Sequence, residues 1–133
     1  MSDTPRSHTD DDVFSVTTLL KYMGNDDKAL AIVSKIVRDA CAPGREPLDL
    51  ARSALAEGRL PEAGKIFHGL RGSIGNLGAK RLVTAALALE QAILARDAAA
   101  IPALLTAVET EYDAVLTAAA GWLDAHPLPA PPA

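Results

Sequence analysis

Residues 63–79 read Ala63-Gly64-Lys65-Ile66-Phe67-His68-Gly69-Leu70-Arg71-Gly72-Ser73-Ile74-Gly75-Asn76-Leu77-Gly78-Ala79. Ala63, Phe67, Leu70, Ile74 and Leu77 recur at spacings of four, three, four and three. That period is the core-facing stripe of an amphipathic helix. His68 lies one residue off the stripe, about 100° around a helix of 3.6 residues per turn. Gly64, Lys65, Arg71, Gly72 and Gly75 are its neighbours on the outer face. The pattern therefore pushes a histidine into solvent and strips away the side chains that could shield it.

The glycines sharpen this reading. A glycine inside a helix costs about 0.8–1.0 kcal/mol relative to alanine. Five of the chain's nine glycines fall between Gly64 and Gly78. Gly78 sits where the helix should end, an ordinary place for a terminating glycine. Gly64, Gly72 and Gly75 have no such explanation, and a close approach by another molecule to His68 would account for them. Tight packing on a second buried helix face is the competing explanation.

The run His68-Gly69-Leu70-Arg71-Gly72-Ser73, then Leu77-Gly78-Ala79, Leu82 and Leu89-Glu90, resembles the signature of histidine-containing phosphotransfer (HPt) domains. In that family the pattern is His-x-Leu-Lys-Gly-Ser, then Leu-Gly-Ala, then a Leu-Glu pair on the next helix. Arg71 departs from the usual Lys and exchanges a point charge for a planar fork. Phe67 stands where the family more often has Ala, and it fits the core stripe. The resemblance implies an all-α fold and a phosphoryl group carried on Nε2 of His68. It also implies exchange with the aspartate of a receiver domain, between a hybrid sensor kinase and a response regulator.

The rest of the chain suits that frame. One domain is expected from 133 residues, and the apolar 49% is rich in alanine and leucine with only 4% aromatic, which favours helix. A lone Cys41 excludes an internal disulfide and suits a reducing, cytoplasmic setting, as a buried structural thiol. No run of eighteen apolar residues exists and the first residues are acidic, so neither a membrane span nor a secretory signal is expected. A formal charge of −4 argues against nucleic acid as the partner. Yet Arg59, Lys65, Arg71, Lys80 and Arg81 face only Glu62 between positions 59 and 81, a basic patch suited to an anionic partner.

In chain order, residues 1–9 are expected to be a polar tail and 10–125 the helical domain. Asp10 to Asp12 starts a short helix with Val13, Val16, Leu20 and Met23 as its apolar positions. Asp26 caps a second helix reaching Cys41, with Leu30, Val33, Ile36 and Val37 facing inward. The third runs from Pro47 to Glu57, burying Leu48, Leu55 and either Leu50 or Ala51. Leu60-Pro61 opens the fourth, which carries His68, and the fifth spans 79–95. Asp97 caps the last, along a seam of Ile101, Leu105, Val108, Tyr112, Val115, Ala119 and Trp122. Residues 126–133 are a proline-rich tail. The architecture expected is an antiparallel four-helix bundle with additional short N-terminal helices.

Neutral imidazole is a nucleophile near neutral pH. Arg71, one turn from His68, would disfavour imidazolium and stabilise a bound phosphoryl group, with Lys65 a looser second cation. Gly64, Gly72, Ser73 and Gly75 form the expected docking face, with Ser73 also bonding to backbone. No carboxylate lies within a turn of His68 to complete a transfer site, and no nucleotide-binding glycine loop is present. His68 is thus read as a carrier and not an enzyme, with no cofactor or metal of its own; Mg²⁺ and the acceptor aspartate belong to the partner. His8, His68 and His126 lack the spacing of zinc ligands. A monomer is expected. Two other readings stay open: a docking module that transfers nothing, and the phosphoacceptor domain of a chemotaxis-type kinase.

Overall fold

Among the described residues the chain forms six complete helices: α1 (Thr17–Tyr22), α2 (Asp27–Cys41), α3 (Glu46–Ala56), α4 (Leu60–Gly75), α5 (Lys80–Leu94) and α6 (Ile101–Ala125). These come from a computed structural model that describes residues 12–126; the expected tails, 1–9 and all of 126–133 except His126, lie outside the described residues. Pro47, Pro61 and Pro102 each sit in the first turn of their helices, where a missing N–H breaks no internal bond. The Asp26 carboxylate accepts the Ala29 N–H at 2.8 Å and caps α2. Gly58, at φ +75°, ends α3, and the Arg59 N–H turns back to the Ala54 carbonyl at 2.8 Å.

The apolar stripe of α4 is buried throughout, from Ala63 through Phe67, Leu70 and Ile74 to Leu77. It meets Leu82, Ala86, Leu89 and Ile93 of α5 and Val108, Tyr112, Val115 and Ala119 of α6 in one core. Consecutive helices pack from α3 to α6. Direction follows from the contacts: Gly64 faces Ile93 while Gly75 faces Val83, so α4 and α5 run antiparallel. Arg45 pairs with Asp113 and Arg52 with Glu109, which sets α3 antiparallel to α6 and closes the ring. The Tyr112 hydroxyl donates to the Gly44 carbonyl at 2.6 Å, giving a buried phenol its partner.

Several boundaries differ from the sequence reading. The helix expected from Asp10 to Met23 is broken, because residues 14–16 leave helical geometry before α1 begins. There Phe14 and Val16 are buried and the Ser15 N–H donates to the Leu77 carbonyl at 2.8 Å. The Phe14 ring meets Trp122 edge-on at 6.3 Å. Tertiary burial of two side chains two apart, an extended-chain spacing, overrides the helical pattern, and Met23 ends up exposed. The second helix keeps its expected bounds: α2 is capped by Asp26, ends at Cys41 after 15 residues and packs on α6.

In α3, Ala51 is buried while Leu50 is exposed. Asp97 does not cap α6. Its carboxylate accepts the Ala100 N–H at 3.3 Å in a turn that precedes the helix. Cys41 is half-buried, and burial raises its thiol pKa.

Candidate functional site

Phe67 faces the core with no exposure, so the next residue on α4 must leave it. The His68 side chain is 72% exposed. Its Nδ1 is nevertheless engaged. A guanidinium nitrogen of Arg71 lies 2.9 Å from Nδ1, and Oε1 of Glu90 lies 3.3 Å from the same atom. Arg71 in turn donates to both oxygens of Glu90, at 2.7 Å and 3.2 Å. Nε2 of His68 enters no hydrogen bond among the described residues.

Glu90 corrects the expectation that no carboxylate stands near the ring. It comes from α5, and helix pairing brings it there. His68 lies seven residues before Gly75, and Glu90 lies seven after Val83, the residue Gly75 faces. Arg71 is therefore not a lone cation acting on the imidazole, because a carboxylate opposes it at the same nitrogen. The sequence signal was present in the Leu89-Glu90 pair; converting it into a contact needed the register of the two helices.

The Arg71–Glu90 pair is two-pronged and mostly shielded, the arrangement in which charge-assisted bonds are strongest. Its hydrogen bonds hold the Glu90 carboxyl below the usual carboxylate range, Arg71 contributing most, against the opposing effect of burial. The stability this adds is complete above the unfolded carboxylate value of about 4.3 and disappears as pH falls through the lower folded one. In thermal melts Glu90→Gln is expected to lose less stability on acidification than the parent. An identical acid limb in both proteins would contradict it.

Among the glycines the structure separates two kinds. A Cβ at Gly75 would sit 3.3 Å from Cγ2 of Val83, so Gly75 serves the α4–α5 contact. A Cβ at Gly64 would meet Ile93 at an ordinary 3.8 Å, and at Gly69 or Gly72 it would meet nothing within 4 Å. Gly69 and Gly72 therefore weaken α4 with no internal packing gained in return. Gly69→Ala is expected to raise stability by about 0.8–1.0 kcal/mol in chemical denaturation; a lower midpoint would mean an unseen packing role.

Ser73 is exposed, and its hydroxyl reaches the Leu70 carbonyl at 3.5 Å, a weak bond. The basic patch is smaller than the sequence count. Arg59 pairs with Glu57 and Glu62, Arg71 with Glu90, and Arg81 with Glu111. Lys65 and Lys80 form no ion pair among the described residues. Lys65 lines a recess of about 370 Å³ with Leu60, Pro61, Gly64, Ile93 and Leu94 that opens on His68 and Glu90.

The described residues form an all-helical bundle in which His68 is exposed and held through Nδ1. The Hpt domain family model matches residues 35–118, well over half the chain, and the chain belongs to that family. Comparison with curated proteins and with solved structures found no match. Hpt domains are phosphocarriers that take part in histidine phosphotransfer in two-component signalling and interact with receiver domains. No helix among the described residues is long and apolar enough to cross a membrane.

Proposed function

We propose that His68 is the phosphoacceptor of a cytoplasmic phosphorelay. The chain takes a phosphoryl group from the receiver aspartate of a hybrid sensor kinase and passes it to a response regulator. The observation that carries this reading is the exposed His68 ring, held through Nδ1 with Nε2 unengaged. In the loading step the Nε2 lone pair attacks the phosphorus of an aspartyl phosphate. The N–P bond forms as the P–O bond breaks, and aspartate leaves as its carboxylate. Unloading to the next receiver is the same step reversed, so the carrier needs no net proton or electron.

Charge neutralisation on the transferring oxygens is most of what such a step requires. Lys65 and Arg71 are the cations this chain offers close to the ring, and Mg²⁺ is assigned to the receiver. Gly64 and Gly72, with exposed Ser73 beside them, let a partner's backbone come close to Nε2. Gly75 contributes by keeping α5, and with it Glu90, close to α4. The chain is proposed to act as a monomer, since one exposed ring is all the receiver must reach.

Incubation with phosphorylated receiver domains and Mg²⁺ tests the reading. The parent is expected to acquire acid-labile, base-stable phosphate, and His68→Gln none. Equal labelling of the two proteins would refute the assignment. Receiver binding without any labelling of the parent would make the chain a docking module instead.

A further inference from the structure

Every left-handed backbone position among the described residues is a glycine or an asparagine, except one. Arg96 has φ +55°; the others are Gly24, Asn25, Gly44, Gly58 and Gly78. Arg96 closes α5: its N–H donates to the Ile93 carbonyl at 3.1 Å, and the Asp97 N–H to the Ala92 carbonyl at 2.9 Å. Those two bonds define the helix ending whose left-handed residue is usually glycine. A side chain there is disfavoured by its own Cβ, and Arg96 recovers nothing within the fold. Its guanidinium forms no hydrogen bond or ion pair among the described residues.

What the Arg96 side chain does line is an apolar recess of about 400 Å³. Leu60 lines both this recess and the one that opens on His68. The floor is Leu55 of α3, Leu60 of α4, and Ile101 and Leu105 of α6, all half-buried at the edge of the core. Ile101 and Leu105 continue the α6 seam beyond its buried stretch. Two guanidinium groups border the recess, those of Arg96 and Arg52, and no carboxylate is among its lining residues. Arg52 is anchored to Glu109 through one nitrogen, which answers part of its charge and leaves Arg96 the larger share.

We infer that this recess binds a small amphipathic carboxylate, its apolar body on Leu55, Leu60, Ile101 and Leu105 and its head on Arg96, with Arg52 as a second donor. The volume lies within the range of about 300–1,000 Å³ common to small-molecule sites, which likewise combine a mostly apolar lining with a few placed polar groups. A guanidinium offers a planar fork that a carboxylate meets with two parallel hydrogen bonds. The left-handed backbone and the unpaired side chain of Arg96 then have one explanation, a local cost to the fold retained for a ligand. The site goes beyond the carrier role, since His68, Lys65, Arg71 and Glu90 take no part in it.

Decanoate, kept well below its aggregation concentration, is the probe, with decanol as the uncharged comparison and amide NMR of the whole chain as the readout. Saturable shifts are expected at Leu55, Leu60, Arg96, Ile101 and Leu105, while the exposed Tyr22 and Leu87 elsewhere stay unmoved. Decanol should bind about tenfold more weakly, the scale of one charge-assisted hydrogen bond. Arg96→Gly should weaken decanoate to the decanol level and raise the denaturation midpoint, because glycine suits the left-handed position. Ala98→Phe, at an exposed position on the rim, should fill the recess and abolish binding. Decanoate held as tightly by Arg96→Gly as by the parent, or shifts spread equally over Tyr22 and Leu87, would overturn the inference. A lower midpoint in Arg96→Gly would mean that the arginine serves the fold, and would overturn it too. So would recess signals that move with an added receiver domain or with rising protein concentration but never with decanoate, the mark of a protein contact.

Discussion

Gly78→Ala is expected to destabilise the protein by about 3 kcal/mol or more, the largest loss of any glycine-to-alanine change in this chain. Two effects combine. Gly78 has φ +66°, a left-handed conformation that disfavours any Cβ by roughly 1–2 kcal/mol. A Cβ there would also lie 2.4 Å from the Ser15 carbonyl oxygen and 2.9 Å from the Ser15 nitrogen. Both obstacles are backbone, and Ser15 is fixed by its bond to Leu77, so the clash can be relieved only by lifting the 14–16 strap off the α4–α5 turn. That movement would pull Phe14 and Val16 out of the core. Denaturant unfolding of Gly78→Ala beside Gly69→Ala checks the argument, since the two are expected to change stability in opposite directions. A loss at Gly78 no greater than that of a bare left-handed alanine would mean that the strap yields.

Gly72→Glu is expected to abolish most transfer while leaving the fold intact. The added side chain meets nothing inside the protein, and Glu is a better helix former than Gly, so unfolding should be unchanged or slightly harder. On the docking face it sets a bulky anion one turn from His68, against an incoming aspartyl phosphate. Orientation of the reacting groups can be worth about a hundredfold for a displacement of 1 Å, and a loss of that order or more is expected in the transfer rate from a phosphorylated receiver. Melting curves and transfer rates of the same preparation separate the two effects. Equal loss of stability and transfer would mean that Gly72 serves the fold.

Both outcomes depend on features that the sequence carried unequally. The α4 stripe from Ala63 to Leu77 was legible because a single period, unbroken by proline, coincided with complete burial of all five residues. The seam of α6 was legible over its middle, where Val108, Tyr112, Val115 and Ala119 are buried, while Ile101, Leu105 and Trp122 at its ends are half-buried. The strap at Phe14–Val16 was not, since Val13, Val16 and Leu20 mimic a helical spacing and only the docking of Ser15 on Leu77 breaks it. Gly78 could be read as a helix terminator from sequence; the passage of a second backbone over it could not. Arg71 was visible as a cation beside His68, but its commitment to Glu90 depends on pairing between two helices. The same limit applies to the basic patch, where Glu90 and Glu111 arrive from α5 and α6 to neutralise Arg71 and Arg81. Patterns within one helix survive translation into structure, whereas charge balance is decided between helices.

The central claim is that the Nε2 atom of His68 bears the phosphoryl group. Phosphorus NMR of the protein loaded by a phosphorylated receiver, with coupling traced into the imidazole ring, addresses it atom by atom. The expected spectrum contains one phosphoramidate resonance coupled to the ring of His68 through Nε2. A resonance assigned to any other residue, or to Nδ1 of His68, would contradict the account.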